Sequence, residues 1–312
     1  MKPFLAMFPG QGSQYVGMGQ ELINQFPYVR DVFEEAEDAS HLKIRHLCFE
    51  GPESDLTLTV HTQPCILTVS YATWKVLEAE LGFDADLFAG HSLGEYSALV
   101  AAGKLDFASA VSLVTQRGRA MQAAVPKGKG AMAAVMKLPA DDLEKLCASV
   151  SDGQESVEVV NYNSPQQLVV AGHQPAVERL ATALKEQKIR CVMLPVSAPF
   201  HSRLMAPARE AMTPALSATT FHSNDKQVIT NLRAEPVQDY DSDYLIQQID
   251  SPVRWSQSVD MAQEMGAHIF CEIGPGKVLT ALLRRSKVRD DAIFVATENI
   301  KETIDQLGEL LK

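Results

Sequence analysis

Phe83-Asp84-Ala85-Asp86-Leu87-Phe88-Ala89-Gly90-His91-Ser92-Leu93-Gly94-Glu95-Tyr96, followed by Ser97 to Gly103, is the stretch whose reading decides the fold. The apolar segment Phe83 to Ala89 runs directly into Gly90, and Leu93 to Ala102 has helical composition. Residues 83 to 103 therefore predict strand, sharp turn, helix. Inside that unit Gly90-His91-Ser92-Leu93-Gly94 fits Gly-x-Ser-x-Gly, in which glycines relieve crowding at a strained turn and hold a serine hydroxyl at a helix N-terminus. The five-residue pattern is weak alone, because glycine and serine are common. Its flanking strand and helix make Ser92 a candidate nucleophile.

Working outward, Lys2 to Phe8 is a short apolar run ending at Pro9-Gly10, which predicts a buried strand followed by the loop Gly10-Gln11-Gly12-Ser13. Beyond Gly130 the pattern changes to shorter alternating units. A strand at Ala131 to Met136 precedes a helix at Ala140 to Ala148 and strands at Val157 to Tyr162 and Gln167 to Ala171. A helix at Pro175 to Gln187 and a strand at Cys191 to Val196 follow, and the order β-α-β-β-α-β matches a ferredoxin-like unit. Residues 128–197 are thus expected as a small subdomain inserted in a large one of residues 1–127 and 198–312. The larger pattern resumes with a helix after His201 and a strand at His268 to Ile273.

A chain of 312 residues, 46% apolar, can bury a substantial core. It has no run of eighteen apolar residues to span a bilayer and no signal-peptide pattern at its start, so a cytoplasmic protein is expected, with no membrane partner. Five scattered cysteines without Cys-x-x-Cys spacing read as reduced, mostly buried thiols. A net charge of −11 argues against nucleic acid, since non-specific binding rests on cations displacing counterions. The cluster Arg284-Arg285-Ser286-Lys287-Val288-Arg289 reads equally as a docking patch or a solvated helix end.

Among eight histidines, His201 stands out in Pro195-Val196-Ser197-Ala198-Pro199-Phe200-His201-Ser202, where a strand enters a loop held extended by prolines. It is either the base for Ser92 or a loop histidine satisfying nearby backbone. His91 points away from the Ser92 hydroxyl at such a turn and reads as packing around it. No His-Glu-x-x-His or similar arrangement supports a metal. In the expected helix Asp106 to Val125, Phe107, Ala110, Val111, Val114 and Met121 define the buried face. Arg117 lies close to the azimuth of Ala110, whereas Arg119 points to water. A buried guanidinium needs an anion, either a substrate carboxylate held by its fork or an internal Asp or Glu. Acyl transfer at a serine also requires two convergent N–H donors for the oxyanion, and the main chain at Leu93 and Gln11 offers them.

Together these segments resemble the malonyl-CoA:acyl carrier protein transacylases of fatty acid synthesis and the related acyltransferase domains of polyketide synthases. The likeness is nearly full length: Phe8-Pro9-Gly10-Gln11-Gly12-Ser13-Gln14, Gly90 to Tyr96, Gln116-Arg117-Gly118, Gly130-Ala131-Met132, Asn161-Tyr162-Asn163-Ser164 and Gly274-Pro275-Gly276-Lys277. It implies an α/β fold, with a large hydrolase-like subdomain around a parallel sheet, an inserted ferredoxin-like subdomain, and the active site between them. It implies Ser92 as nucleophile, His201 as base, Arg117 as anchor of the malonyl carboxylate, and Gln11 with Leu93 as the oxyanion hole. Gln248 is the residue whose main-chain carbonyl would orient His201. Phe200 would wall off an α-methyl branch, or merely pack the histidine. Asn161 and Asn163 would meet the pantetheine arm, or only finish their strand.

The activity so implied is double displacement from malonyl-CoA to acyl carrier protein through a malonyl-serine ester, with no metal or redox cofactor and with a monomer as the expected state. Two rivals stand beside it: a serine hydrolase such as a thioesterase, using the same pair with water, and an idle module that docks a carrier protein.

Overall fold

A computed structural model describes residues 3–196 and 198–312. In chain order its strands are β1 (Phe4–Phe8), β2 (Leu87–Gly90), β3 (Gly130–Met136), β4 (Val157–Ser164), β5 (Gln167–His173), β6 (Cys191–Met193), β7 (Gln227–Ile229), β8 (Pro236–Val237), β9 (Ile269–Glu272) and β10 (Ile293–Ala296). They form two sheets. The larger has the order β10-β9-β1-β2-β7-β8, parallel except for the β7–β8 pair. Every residue of β1 is buried, which explains its unbroken Phe-Leu-Ala-Met-Phe run: a central parallel strand is covered on both faces and shows no alternation. One face packs against the helices Thr59–Leu81 and Phe107–Ala123, and the other against Trp255, Val259, Leu279 and Leu283.

The register of the central pair places the site. Phe8 lies opposite Gly90 in parallel β1 and β2, so the loops Pro9-Gly10-Gln11 and His91-Ser92-Leu93 leave the sheet side by side at its carboxyl edge. Ligands of open α/β sheets gather at that edge.

The smaller sheet is antiparallel, order β4-β5-β3-β6, with the helices Ala140–Val150 and Gln174–Glu186 on one face. This is the ferredoxin-like arrangement expected from the element order. Its other face, Met132, Ala134, Val160, Val169 and Ala171, packs with Leu194, Val196 and Phe200 and looks toward the large sheet. Main-chain bonds lock the two bodies together: Tyr162 N–H donates to the Val253 carbonyl and Val253 N–H to the Val160 carbonyl, each at 2.9 Å.

The structure redraws several expected boundaries. The strand before the elbow begins at Leu87 rather than Phe83, because the helix Thr59–Leu81 ends at left-handed Gly82 and Phe83 to Asp86 carry the chain across to the sheet. Phe83 is buried there edge-on to Phe4. The last small strand stops at Met193, two residues before Pro195, which has no N–H for a ladder. The strand expected at His268 to Ile273 is Ile269–Glu272, and Lys2 and Ser197 lie outside the described residues. Strands β7, β8 and β10 were not anticipated. Arg284, Arg285 and Lys287 are exposed just past the helix Val278–Leu283, and Arg289 pairs with Asp291. Among the described residues, Cys191 is half-buried and the other four thiols are buried, and no helix is long and apolar enough to cross a membrane.

Candidate active site

The elbow is a strained turn held by close packing. Ser92 has φ of 55°, a left-handed conformation that is unusual for a residue with a Cβ. The glycines on either side let the chain fold this tightly. A Cβ on Gly90 would lie 1.9 Å from the Gly94 carbonyl, and one on Gly94 would lie 2.0 Å from the Phe8 oxygen, so the helix Gly94–Ala101 could not approach β1 with any other residue there. Asn231, which follows β7, clamps the turn: its Oδ1 accepts from the Ser92 N–H at 2.7 Å and its Nδ2 donates to the Gly90 carbonyl at 2.6 Å.

His201 Nε2 lies 2.7 Å from Ser92 Oγ, and Nδ1 lies 2.9 Å from the Gln248 main-chain oxygen. A carbonyl can only accept, so Nδ1 carries the proton and Nε2 presents its lone pair to the serine hydroxyl. The ring is 4% exposed, and burial, reinforced by the nearby Arg117 charge, lowers its pKa to about 3. It is therefore neutral near pH 7 and able to accept the Ser92 proton. The loop-histidine alternative does not describe this contact.

Arg117 is 1% exposed on the helix Phe107–Ala123, while Arg119 is exposed, as their azimuths require. Nη1 donates to Gln63 Oε1 at 2.9 Å, and Nη2 donates to Gln248 Oε1 at 2.9 Å and to Ser92 Oγ at 3.2 Å. Nε has no partner, and the guanidinium lies 5.7 Å from the Tyr96 ring centre. All these hydrogen-bond acceptors are neutral, so the internal salt bridge left open by the helix pattern does not form among the described residues. Burial lowers the arginine's pKa below its ordinary value, as expected for a cation without a contacting anion.

Around Ser92 a cleft of about 210 Å³ opens between the sheets. Gln11, Leu93, Arg117, Phe200 and His201 all line it, and Gln248 reaches it through His201 and Arg117. The N–H of Ser92 is taken up by Asn231, whereas neither the Leu93 nor the Gln11 N–H enters a main-chain hydrogen bond among the described residues. The small sheet supplies Met132, Val169, Asn161 and Asn163 to the opposite wall. His91 is more than packing. Its ring meets Trp255, and its Nε2 shares a 2.8 Å hydrogen bond with Asn163 Oδ1, tying the elbow to β4.

Three polar residues escaped the sequence reading. Gln63 is a lone amide in a mostly buried helix, and that isolation was its one legible signal. It reaches Arg117 because the two helices pack closely at Gly118, where a Cβ would lie 2.8 Å from the Thr59 oxygen. Asn231 had no local signal. Glu95 directly follows the elbow motif, yet only the structure shows its carboxylate buried and accepting from Gln248 Nε2.

The arrangement can activate a serine, receive an oxyanion and neutralise a carboxylate in one cleft. The family model for the acyl transferase domain matches residues 6–303. The chain is 43% identical over 288 residues to the malonyl CoA-acyl carrier protein transacylase of Escherichia coli strain K12, covering 91% of this chain and 93% of that one. The Bacillus subtilis strain 168 protein of the same name is 41% identical over 313 residues, covering 99% and 98%. The crystal structure of FabD from Acinetobacter baumannii superposes with a TM-score of 0.94 at 40% identity, covering 99% of this chain and 98% of that one. A type II polyketide acyl-carrier protein in complex with its malonyl-transacylase gives a TM-score of 0.93 at 38% identity, covering 99% of each chain. An acyltransferase by its matching family model, the chain belongs to the malonyl CoA-acyl carrier protein transacylases.

Proposed function

We propose that this enzyme moves a malonyl group from malonyl-CoA to the phosphopantetheine thiol of an acyl carrier protein through a malonyl-Ser92 ester. The observation that carries the reading is Arg117: a buried cation whose acceptors are all neutral, 3.2 Å from the nucleophile, is placed for a short acyl group that ends in a carboxylate. Transacylases at about 40% identity with malonyl in their names support the same substrate.

In the first half-reaction His201 Nε2 takes the Ser92 proton as Oγ attacks the thioester carbonyl. The Leu93 and Gln11 N–H groups receive the oxyanion, and the Gln248 carbonyl holds the imidazolium that forms. His201 then returns the proton to the departing coenzyme A sulfur, leaving the ester. The carrier's thiol enters by the same cleft, gives its proton to His201 and takes the malonyl group, restoring Ser92–OH. Phe200 beside His201 is the wall against an α-branch, and Asn161 and Asn163 are donors for the pantetheine arm. Residues 1–127 and 198–312 supply the chemistry and residues 128–197 the facing wall. The chain's own groups handle every proton and charge in this sequence, so the reading includes no metal or redox cofactor and needs no second copy of the chain.

Intact-mass analysis tests it. Malonyl-CoA should add one malonyl group, which peptide mapping places on Ser92, Ser92→Ala should prevent, and a phosphopantetheinylated carrier protein should remove. An adduct on a cysteine or another serine rejects the assignment. Rapid loss of malonyl to water without an acceptor supports a hydrolase instead.

A further inference from the structure

Arg117 is not the only buried charge at this cleft. Glu95 is 1% exposed on the helix Gly94–Ala101. Its carboxylate accepts from Gln248 Nε2 at 2.6 Å, from the Tyr240 hydroxyl at 2.8 Å and from the Asn231 N–H at 3.2 Å. The same Gln248 amide turns its Oε1 to Arg117 Nη2 at 2.9 Å and donates its Nε2 to the Ser92 carbonyl at 3.0 Å. Glu95 and Arg117 make no direct ion pair among the described residues; a neutral amide stands between them. With the pocket empty and Glu95 ionised, this network thus combines one cation and one anion.

The other titratable groups facing Glu95 keep their protonation states near neutral pH. Tyr96, its neighbour on the same helix, is pushed up to about 12 by burial, and burial also pushes Tyr240 well above its usual range. His201, whose Nδ1 bonds the main-chain oxygen of the same Gln248, is neutral, with a pKa of about 3. Arg117 stays charged between its amide acceptors and the Tyr96 face.

A malonyl carboxylate set on Arg117 upsets this balance. Two carboxylates would then answer one guanidinium in a region closed to water, and uncompensated buried charge is the state such a site resists most. Protonation of Glu95 from solvent restores neutrality. We infer that Glu95 is a charge-setting specificity residue: at mildly alkaline pH it is ionised when the pocket is empty or holds an acetyl group and protonated when a malonyl carboxylate occupies Arg117. This rests on the malonyl reading above and extends it to a group that touches no reacting atom.

Burial already raises the Glu95 carboxyl to about 7 against its three donors, and a second carboxylate raises it further. Above about pH 7, malonyl binding then takes up one proton and weakens by up to about tenfold per pH unit. Well below that pH, Glu95 is protonated in both states and affinity is flat.

Isothermal titration of Ser92→Ala protein with malonyl-CoA, near pH 8 in two buffers of different ionisation enthalpy, counts the protons. Uptake should approach one per malonyl-CoA and stay near zero for acetyl-CoA, whose coenzyme part cancels any contribution from its phosphates. Adding Glu95→Gln should abolish the uptake and flatten affinity between about pH 7 and 9. If that variant does not fold, Tyr240→Phe serves: losing a donor to the anion, it should move the onset of weakening to higher pH without removing it. Malonyl binding without proton uptake, equal uptake with acetyl-CoA, or an unchanged slope in Glu95→Gln overturns the inference. Failure of malonyl-CoA to bind or label at any pH overturns the substrate reading and this inference with it.

Discussion

His201 has no proton to shed before it can act, because burial leaves Nε2 unprotonated far below neutrality while the Gln248 carbonyl holds Nδ1–H. A free imidazole would show a fall in acylation kcat/KM as pH drops through about 6.5, the ordinary histidine value. Here that rate should not fall between pH 7 and about 5, and stopped-flow release of coenzyme A checks it; an acid limb near 6.5 would show that the ring titrates as if exposed. Arg117 separates substrates rather than protonation states. Truncating one side of a buried pair costs about 3–5 kcal/mol, so Arg117→Ala should lose roughly 10²–10³-fold or more in malonyl transfer while keeping or gaining acetyl transfer. Parallel loss of both, with a lower melting temperature, would make Arg117 structural.

At the scale of elements, the site depends on junctions more than on any one helix or strand. The end of β2, the start of the elbow helix and the segment after β7 meet at Asn231, whose side chain accepts from the N–H of the strained Ser92 and donates to the Gly90 carbonyl before it. Asn231→Ala leaves the Ser92 N–H and the Gly90 carbonyl without these partners, and each buried unsatisfied group costs about 1–3 kcal/mol. The expected outcome is a lower denaturation midpoint together with slower acylation, since the turn that aims Ser92 loses its clamp. A stability loss with an unchanged single-turnover rate would show that glycine packing alone aims the hydroxyl. This junction also explains why the elbow was legible and its clamp was not: the glycine spacing sits within five residues, whereas Asn231 lies 139 residues from Ser92.

For the whole molecule, the buried network makes stability respond to pH in two opposed directions. His201 has a folded pKa of about 3 against an ordinary 6.5, so in that window the unfolded chain binds a proton that the folded chain refuses, and stability falls as pH is lowered. Glu95 has the opposite sign, about 7 against 4.5, so in its window the folded chain holds the extra proton and stability falls as pH rises. Each slope reaches at most about 1.4 kcal/mol per pH unit, and they oppose between pH 4.5 and 6.5. Relative to the parent, His201→Ala should therefore gain stability as pH is lowered through that window and Glu95→Gln as pH is raised through it. Urea midpoints across the window measure this, and curves parallel to the parent would contradict it.

What the sequence determined by itself is what a few neighbouring residues can encode. Gly90 and Gly94 specify a turn that no bulkier residue fits, the run Phe4 to Phe8 specifies a strand covered on both faces, and alternating short units specify the smaller sheet. Arg117 could be placed on a buried helix face from its azimuth alone. Tertiary structure decided the rest, because it depends on groups that meet only when distant segments pack. The serine and its base are 109 residues apart, Gln63 and Arg117 are 54 apart, and the Glu95 carboxylate reaches Gln248 across 153. Short strands such as β7 have too few residues to show a period and take their form from the β2 edge they join. Whether Arg117 kept a carboxylate of its own was equally invisible in the chain, for its helix periodicity requires only burial. Packing against Gln63 and Gln248 surrounds the guanidinium with neutral acceptors and leaves its charge facing the nucleophile.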